Sequence, residues 1–266
     1  MPTVHVNECG LNYEEAGEGP PLLFIHGLWG SGRFFHRQLT YFSERHRTIL
    51  LDLRGHGGSE HTPGGHVVAQ HARDVRGMLE ALDLADVVVA GWSMGTLVML
   101  DYVEQFGTDR LLALIDVDQS PTDLKSADWP HGLFDLPTLH QFHTGVQTDQ
   151  AGTIEHLIPV MFQSPPSAED QAWMAEELLR LPPGIAASIL FDQTLVDYRE
   201  TLPKVSIPTL LCYGRGDAVP VVAGEYMRDR MPNAQLVVFE ESNHCPFLEE
   251  PDRFNEVVDD WIRSLP

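Results

Sequence analysis

Lysine is nearly absent from this chain: only Lys125 and Lys204 occur in 266 residues, and Lys and Arg together number 17 against 39 Asp and Glu. The resulting formal net charge of -22 excludes the clustered cations that phosphate backbones require, so a nucleic-acid partner is not expected. Anionic membrane surfaces are disfavoured by the same repulsion. Cysteine is scarce as well. Cys9, Cys212 and Cys245 are far apart and form no Cys-x-x-Cys pair, which indicates neither a disulfide framework nor a zinc knuckle. No apolar run has the length of a bilayer span. The first ten residues alternate Val4 and Val6 with polar neighbours and show no signal-peptide pattern, so the expectation is a cytoplasmic soluble protein.

Short continuous apolar runs recur instead: Leu22-Leu23-Phe24-Ile25, Thr48-Ile49-Leu50-Leu51, Val87-Val88-Val89 and Leu112-Ala113-Leu114-Ile115. Runs of this kind suit strands covered on both faces. Between them, Val68, Ala72, Val75, Met78, Leu79 and Leu82 recur at helical spacing, as do Leu97, Leu100, Tyr102, Val103 and Phe106. Such alternation predicts a parallel sheet with right-handed crossovers. Upstream, residues 4–8 and 11–15 flank Gly10 and read as a hairpin. The alternation stops after Asp118-Gln119-Ser120-Pro121 and resumes at Ile207, which leaves a helical insertion. Ser167 with Glu169 and Asp170 marks a helix start there, and Pro182-Pro183 a stop. A last strand over 234–239 and a helix over 252–265, apolar at Phe254, Val257, Val258, Trp261 and Ile262, complete the pattern.

Reactive groups in an open parallel sheet gather at the carboxyl ends of its strands. The run Val87-Val88-Val89 leads into Gly91-Trp92-Ser93-Met94-Gly95, a strand, tight turn and helix with a serine at the turn, the arrangement that lifts a hydroxyl into reach of a base. His244, just past the final strand, is the candidate base. Asp217, in Gly214-Arg215-Gly216-Asp217 after the preceding strand, is the candidate carboxylate to orient it. The oxyanion of an attacked carbonyl needs backbone N–H donors. Met94 at the helix start and Leu28, in the loop His26-Gly27-Leu28-Trp29-Gly30, are placed to supply them, with Trp29 behind.

His26-Gly27, Asp52-Leu53-Arg54-Gly55-His56-Gly57-Gly58-Ser59, the serine elbow, Gly214-Arg215-Gly216-Asp217 and Asn243-His244 together resemble the α/β-hydrolase superfamily, over nearly the whole chain. Within it, the chain is most similar to small bacterial carboxylesterases and the cofactor-free haloperoxidase/perhydrolase group. The resemblance implies an α/β fold with an eight-stranded, mostly parallel sheet flanked by helices, and a helical cap inserted after the sixth strand. The core would then comprise residues 1–120 and 207–266, with the cap at 121–206. It also implies the triad Ser93, Asp217 and His244. Asp116 and Asp118, at the end of the sixth strand, compete for the acid's role because some relatives place it there; motif fit favours Asp217. Thr96 departs from the usual second glycine after the elbow methionine, a change expected to alter packing or the pocket floor.

Phe134, Phe142, Met161, Phe162 and Trp173 of the insertion either roof an apolar pocket, with Trp29 and Trp92 below, or form the insertion's own core. Metal chemistry has weaker support. His140-x-x-His143 and the series His61, His66, His71 lack a strong zinc pattern and read as exposed polar positions. Cys245 reads as a small buried hydrophobe. The expectation is therefore a serine hydrolase of small carboxylic esters that needs no cofactor or metal. The same triad also serves perhydrolysis or lactone opening, and a non-enzymatic ligand receptor on the same fold is the rival from another class.

Overall fold

The computed structural model describes residues 1–266. In chain order the sheet elements and helices begin with β1 (Thr3–Val6), β2 (Cys9–Ala16), β3 (Pro21–Ile25), α1 (His36–Phe42) and β4 (Arg47–Leu51). There follow α2 (Val68–Ala81), β5 (Val87–Trp92), α3 (Met94–Phe106) and β6 (Leu111–Val117). Four helices come next: α4 (Leu136–Thr148), α5 (Gln150–Val160), α6 (Ala168–Leu178) and α7 (Pro183–Leu195). The chain ends with β7 (Thr209–Gly214), α8 (Val221–Arg228), β8 (Ala234–Phe239), α9 (Pro246–Glu249) and α10 (Pro251–Arg263).

The eight strands form one sheet in the order β1-β2-β4-β3-β5-β6-β7-β8. The pairings β1/β2 and β2/β4 are antiparallel and the rest are parallel. Every residue of β5 and β7 is buried, which explains why these strands read as unbroken apolar runs rather than alternating ones. The first hairpin turns earlier than its glycine suggests. Asn7 and Glu8 take φ of 48° and 59°, the pair of left-handed residues that a tight hairpin needs, and Gly10 lies within β2 opposite His5.

Local chemistry sets the ends of the inserted helices. Asp135, Asp149 and Ser167 each accept a backbone N–H with their side chains at the starts of α4, α5 and α6, the satisfaction that helix N-termini require. Pro183 opens α7, where its missing N–H costs nothing. No helix is long and apolar enough to cross a membrane.

Two of the histidines expected on exposed positions are in the interior. His61 is exposed, but His66 is buried and His71 is fully so. His71 packs against His56, ring centroids 5.7 Å apart, and His56 against His26 at 4.8 Å. The helical face of α2 that carries Val68, Ala72 and Val75 also carries His71, so the apolar stripe includes an imidazole. Burial first, then repulsion from His26, His66 and Arg54, pushes His71 down to about 3, and burial likewise lowers His26 and His56.

A depressed histidine favours the fold while it is neutral. Stability from this source is thus fully present above the unfolded value of ~6.5 and is lost as pH falls from there toward 3. Denaturant midpoints at pH 7 and pH 4.5 should show that His71→Leu loses about 2–3 kcal/mol less than the wild-type chain over that interval. An equal loss in both proteins would show that His71 does not carry this acid sensitivity. Comparison between the two proteins is required because Asp123, raised by burial to about 6, contributes with the opposite sign.

Candidate active site

β5 delivers Ser93 into a sharp turn. Ser93 has φ 53° and ψ -123°, a strained conformation for a side-chain-bearing residue, and its N–H is held by Val117 O at 3.1 Å on the neighbouring strand. The flanking glycines make the turn possible: a Cβ at Gly91 would lie 2.6 Å from the carbonyl carbon of Gly95, and one at Gly95 would lie 2.3 Å from Ile25 O. Directly below, Thr96 Oγ1 lies 2.7 Å from Gly91 O and 2.8 Å from Asp116 Oδ1. One hydroxyl hydrogen cannot serve both acceptors. Thr96 Oγ1 therefore donates to one acceptor or the other, and burial pushes the Asp116 carboxyl well above the usual range. Thr96 sits beneath, between the elbow and β6; it does not line the main cavity.

His244 follows β8 and is fixed from three sides. Its N–H donates to Met161 O at 2.9 Å, its carbonyl accepts the indole N–H of Trp92 at 2.9 Å, and its Nδ1 bonds Asp118 Oδ2 at 2.7 Å. Asp118, not the expected Asp217, is the carboxylate on the imidazole. The register explains the outcome: Trp92 pairs with Val117 and Val117 with Cys212, so the residue after β6 stands beside the residue after β5, at the level of the serine. The Gly214 N–H donates to Asp118 Oδ1 at 2.8 Å, so the end of β7 holds the acid rather than supplying one. Asp217 is exposed, lies past the end of β7, and makes no hydrogen bond to His244.

Asp118 is 1 % exposed. Burial pushes its carboxyl up, and the bonds from His244 and Gly214 restrain the rise. A carboxylate on Nδ1 fixes the tautomer with hydrogen on Nδ1, leaving Nε2 as the basic nitrogen.

Ser93 and His244 share the wall of a cavity of about 530 Å3. Leu28 also lines it, and the Leu28 N–H is engaged by no other group. Met94, as the first residue of α3, has an N–H that the helix leaves free. Of the residues expected around the pocket, Trp92, Phe134 and Met161 line this cavity. The others do not. Trp29 is buried elsewhere, its indole donating to Ala186 O at 2.9 Å. Phe142 packs edge-on against Phe134 at 5.7 Å. Phe162 and Trp173 line a separate cleft of about 490 Å3 with His36 and Arg37. Leu157 and Val160 of α5 also line the cavity, and the i, i+3, i+4 spacing of Leu157, Val160 and the helix-capping Met161 could have found them. Lys125, His131 and Gln193 also reach the wall without any distinguishing sequence pattern. Cys245 is fully buried, with its thiol pushed up by burial.

The profile of the alpha/beta hydrolase family matches residues 22–257. The pimeloyl-acyl-carrier protein methyl ester esterase of Nitrosomonas europaea is 30% identical over 269 residues, covering 94% of this chain and 99% of that one. Among solved structures, a bromoperoxidase from Bacillus anthracis superposes with a TM-score of 0.93 at 27% identity, covering 96% of each chain. An esterase from Exiguobacterium antarcticum shares the fold with a TM-score of 0.93 at 24% identity, covering 97% of each.

Proposed function

Because this chain belongs to the α/β-hydrolase family, we propose that it hydrolyses small carboxylic esters through an acyl-enzyme on Ser93. The observation that carries the reading is the 2.7 Å contact between Asp118 and His244 Nδ1, with Ser93 on the same cavity wall. Ser93 Oγ attacks the acyl carbon while His244 Nε2 takes its proton. The carbonyl oxygen becomes an oxyanion, met by the N–H groups of Leu28 and Met94, each contributing about 3–4 kcal/mol of transition-state stabilisation. His244 then gives its proton to the departing alcohol. Water activated by the same nitrogen attacks the acyl-serine, and the carboxylic acid leaves. Asp118 orients the imidazole and stabilises its charged form throughout.

Residues 121–206 act as a cap, since Phe134, Leu157, Val160 and Met161 of this segment line the cavity above the elbow. Their apolar surface favours a short or medium acyl chain or an aromatic ester. The methyl ester in the name of the Nitrosomonas relative supports a small alcohol as leaving group. A second reading has one specific support, the likeness to a bromoperoxidase: hydrogen peroxide in place of water would release a peracid from the same acyl-serine.

A fluorophosphonate probe should add its phosphonyl group to the Ser93 peptide of the wild-type protein and leave Ser93→Ala unlabelled. A wild-type protein that resists the probe would support a binding protein without catalysis instead.

A further inference from the structure

Glu249, the last residue of α9, is half-buried, and both of its carboxylate oxygens accept backbone N–H groups. Oε2 takes the N–H of Asn243 at 2.8 Å, and Oε1 takes the N–H of Gln163 at 2.6 Å. The two donors come from different parts of the chain: Asn243 precedes the base His244, and Gln163 stands two residues beyond Met161, whose carbonyl accepts the His244 N–H at 2.9 Å. The carboxylate thus braces the two backbone segments on which that bond depends. Asn243 adds a further tie between them, its Nδ2 donating to Val160 O at 2.9 Å. Burial pushes the Glu249 carboxyl up, and the N–H groups of Gln163, Asn243 and Cys245 restrain the rise.

The neighbouring Glu250 shows the contrast. It holds the same loop one step earlier, at the Glu241 N–H and the Ser242 hydroxyl, but it also pairs with Arg253 at 2.9 Å. Glu249 has no cation beside it, so the N–H groups alone offset its desolvation. Only a carboxylate presents an acceptor to both donors; an amide in its place turns an NH2 group toward one of them. The brace matters because the base must come within about 2.6–3.2 Å of the hydroxyl it deprotonates, and a misplacement of about 1 Å can cost ~100-fold in rate.

We propose that Glu249 is a positioning residue for His244: by bridging the N–H groups of Asn243 and Gln163, it fixes the backbone from which the imidazole reaches Ser93. Glu249 does not line the catalytic cavity, so it acts through His244 and not on the substrate. The inference rests on the esterase reading and goes beyond it, because it makes the 160–163 segment a support for the base as well as part of the cap.

Steady-state kinetics with p-nitrophenyl butyrate on the wild-type protein, Glu249→Gln, His244→Ala and the double variant test the proposal. In Glu249→Gln, kcat and kcat/KM should fall together by ~10- to 100-fold. In the His244→Ala background the same substitution should change the residual rate, measured at high enzyme concentration, by less than about twofold, since no base is left to misplace. A merely structural loss would lower both backgrounds by the same factor. Should Glu249→Gln not fold, Glu249→Asp, which keeps both acceptors but draws them back by one carbon, carries the same cycle. A smaller loss in the single variant, or an equal factor of loss with and without His244, would overturn the inference alone. Absence of turnover in the wild-type protein would overturn the esterase reading and this inference with it.

Discussion

Replacing Asp118 with Asn should lower kcat for a p-nitrophenyl ester by about 10,000-fold, while the same change at Asp217 should leave kcat within about threefold. The asymmetry follows from the contacts. Asp118 Oδ2 holds His244 Nδ1 at 2.7 Å and Oδ1 takes the Gly214 N–H at 2.8 Å. An Asn amide can satisfy Nδ1 through its NH2 group only if the imidazole carries its hydrogen on Nε2, which then faces Ser93 as a donor and cannot take the hydroxyl proton. The geometry survives and the base is lost. Asp217 is exposed and makes no bond that positions the imidazole, so its amide leaves the tautomer unchanged. Stopped assays on both purified variants, with near-wild-type denaturation midpoints as the control for folding, decide the matter. A collapse of activity in Asp217→Asn with Asp118→Asn active would transfer the acid's role.

The largest effect is expected at the nucleophile. Ser93→Ala should reduce kcat by about a million-fold, leaving only what the oxyanion donors and substrate binding provide over water. Because members of a triad act as a unit, adding His244→Ala to that variant should cost almost nothing further. The non-additivity is the informative result: two independent contributions would multiply. Alanine suits the volume at position 93 and relieves no contact that holds β5, so the variant should fold and its residual rate is measurable under high enzyme concentration.

That Ser93 and His244 meet on one cavity wall was legible in the sequence because Ser93 follows directly on β5 and His244 lies in the loop just past β8, and strand ends are where an open parallel sheet gathers its chemistry. The acid was not. Both Asp118 and Asp217 follow strands, and Gly214-Arg215-Gly216-Asp217 matches the commoner pattern. What separates them is register: pairing of Trp92 with Val117 sets Asp118 level with Ser93, and no local motif encodes a pairing between strands. Elements followed the same rule. The strand over 234–239 and the start of α6 at Ser167 carry their own signals, whereas the pocket depends on how four helices pack, so Trp29, Phe142, Phe162 and Trp173 turn away from the cavity. His71 shows the converse, a polar residue at an apolar helical position whose burial the apolar stripe implied and its chemistry concealed.

The central claim is a covalent acyl-serine at the elbow, and rapid quenching of the wild-type enzyme during turnover of a p-nitrophenyl ester, followed by peptide mass analysis, tests it most directly. The account predicts an acyl group on the peptide containing Ser93, formed at the rate of the initial p-nitrophenolate burst and absent from Ser93→Ala. Release of p-nitrophenolate at the full rate with no adduct at Ser93, or with the acyl group on another residue, would contradict it.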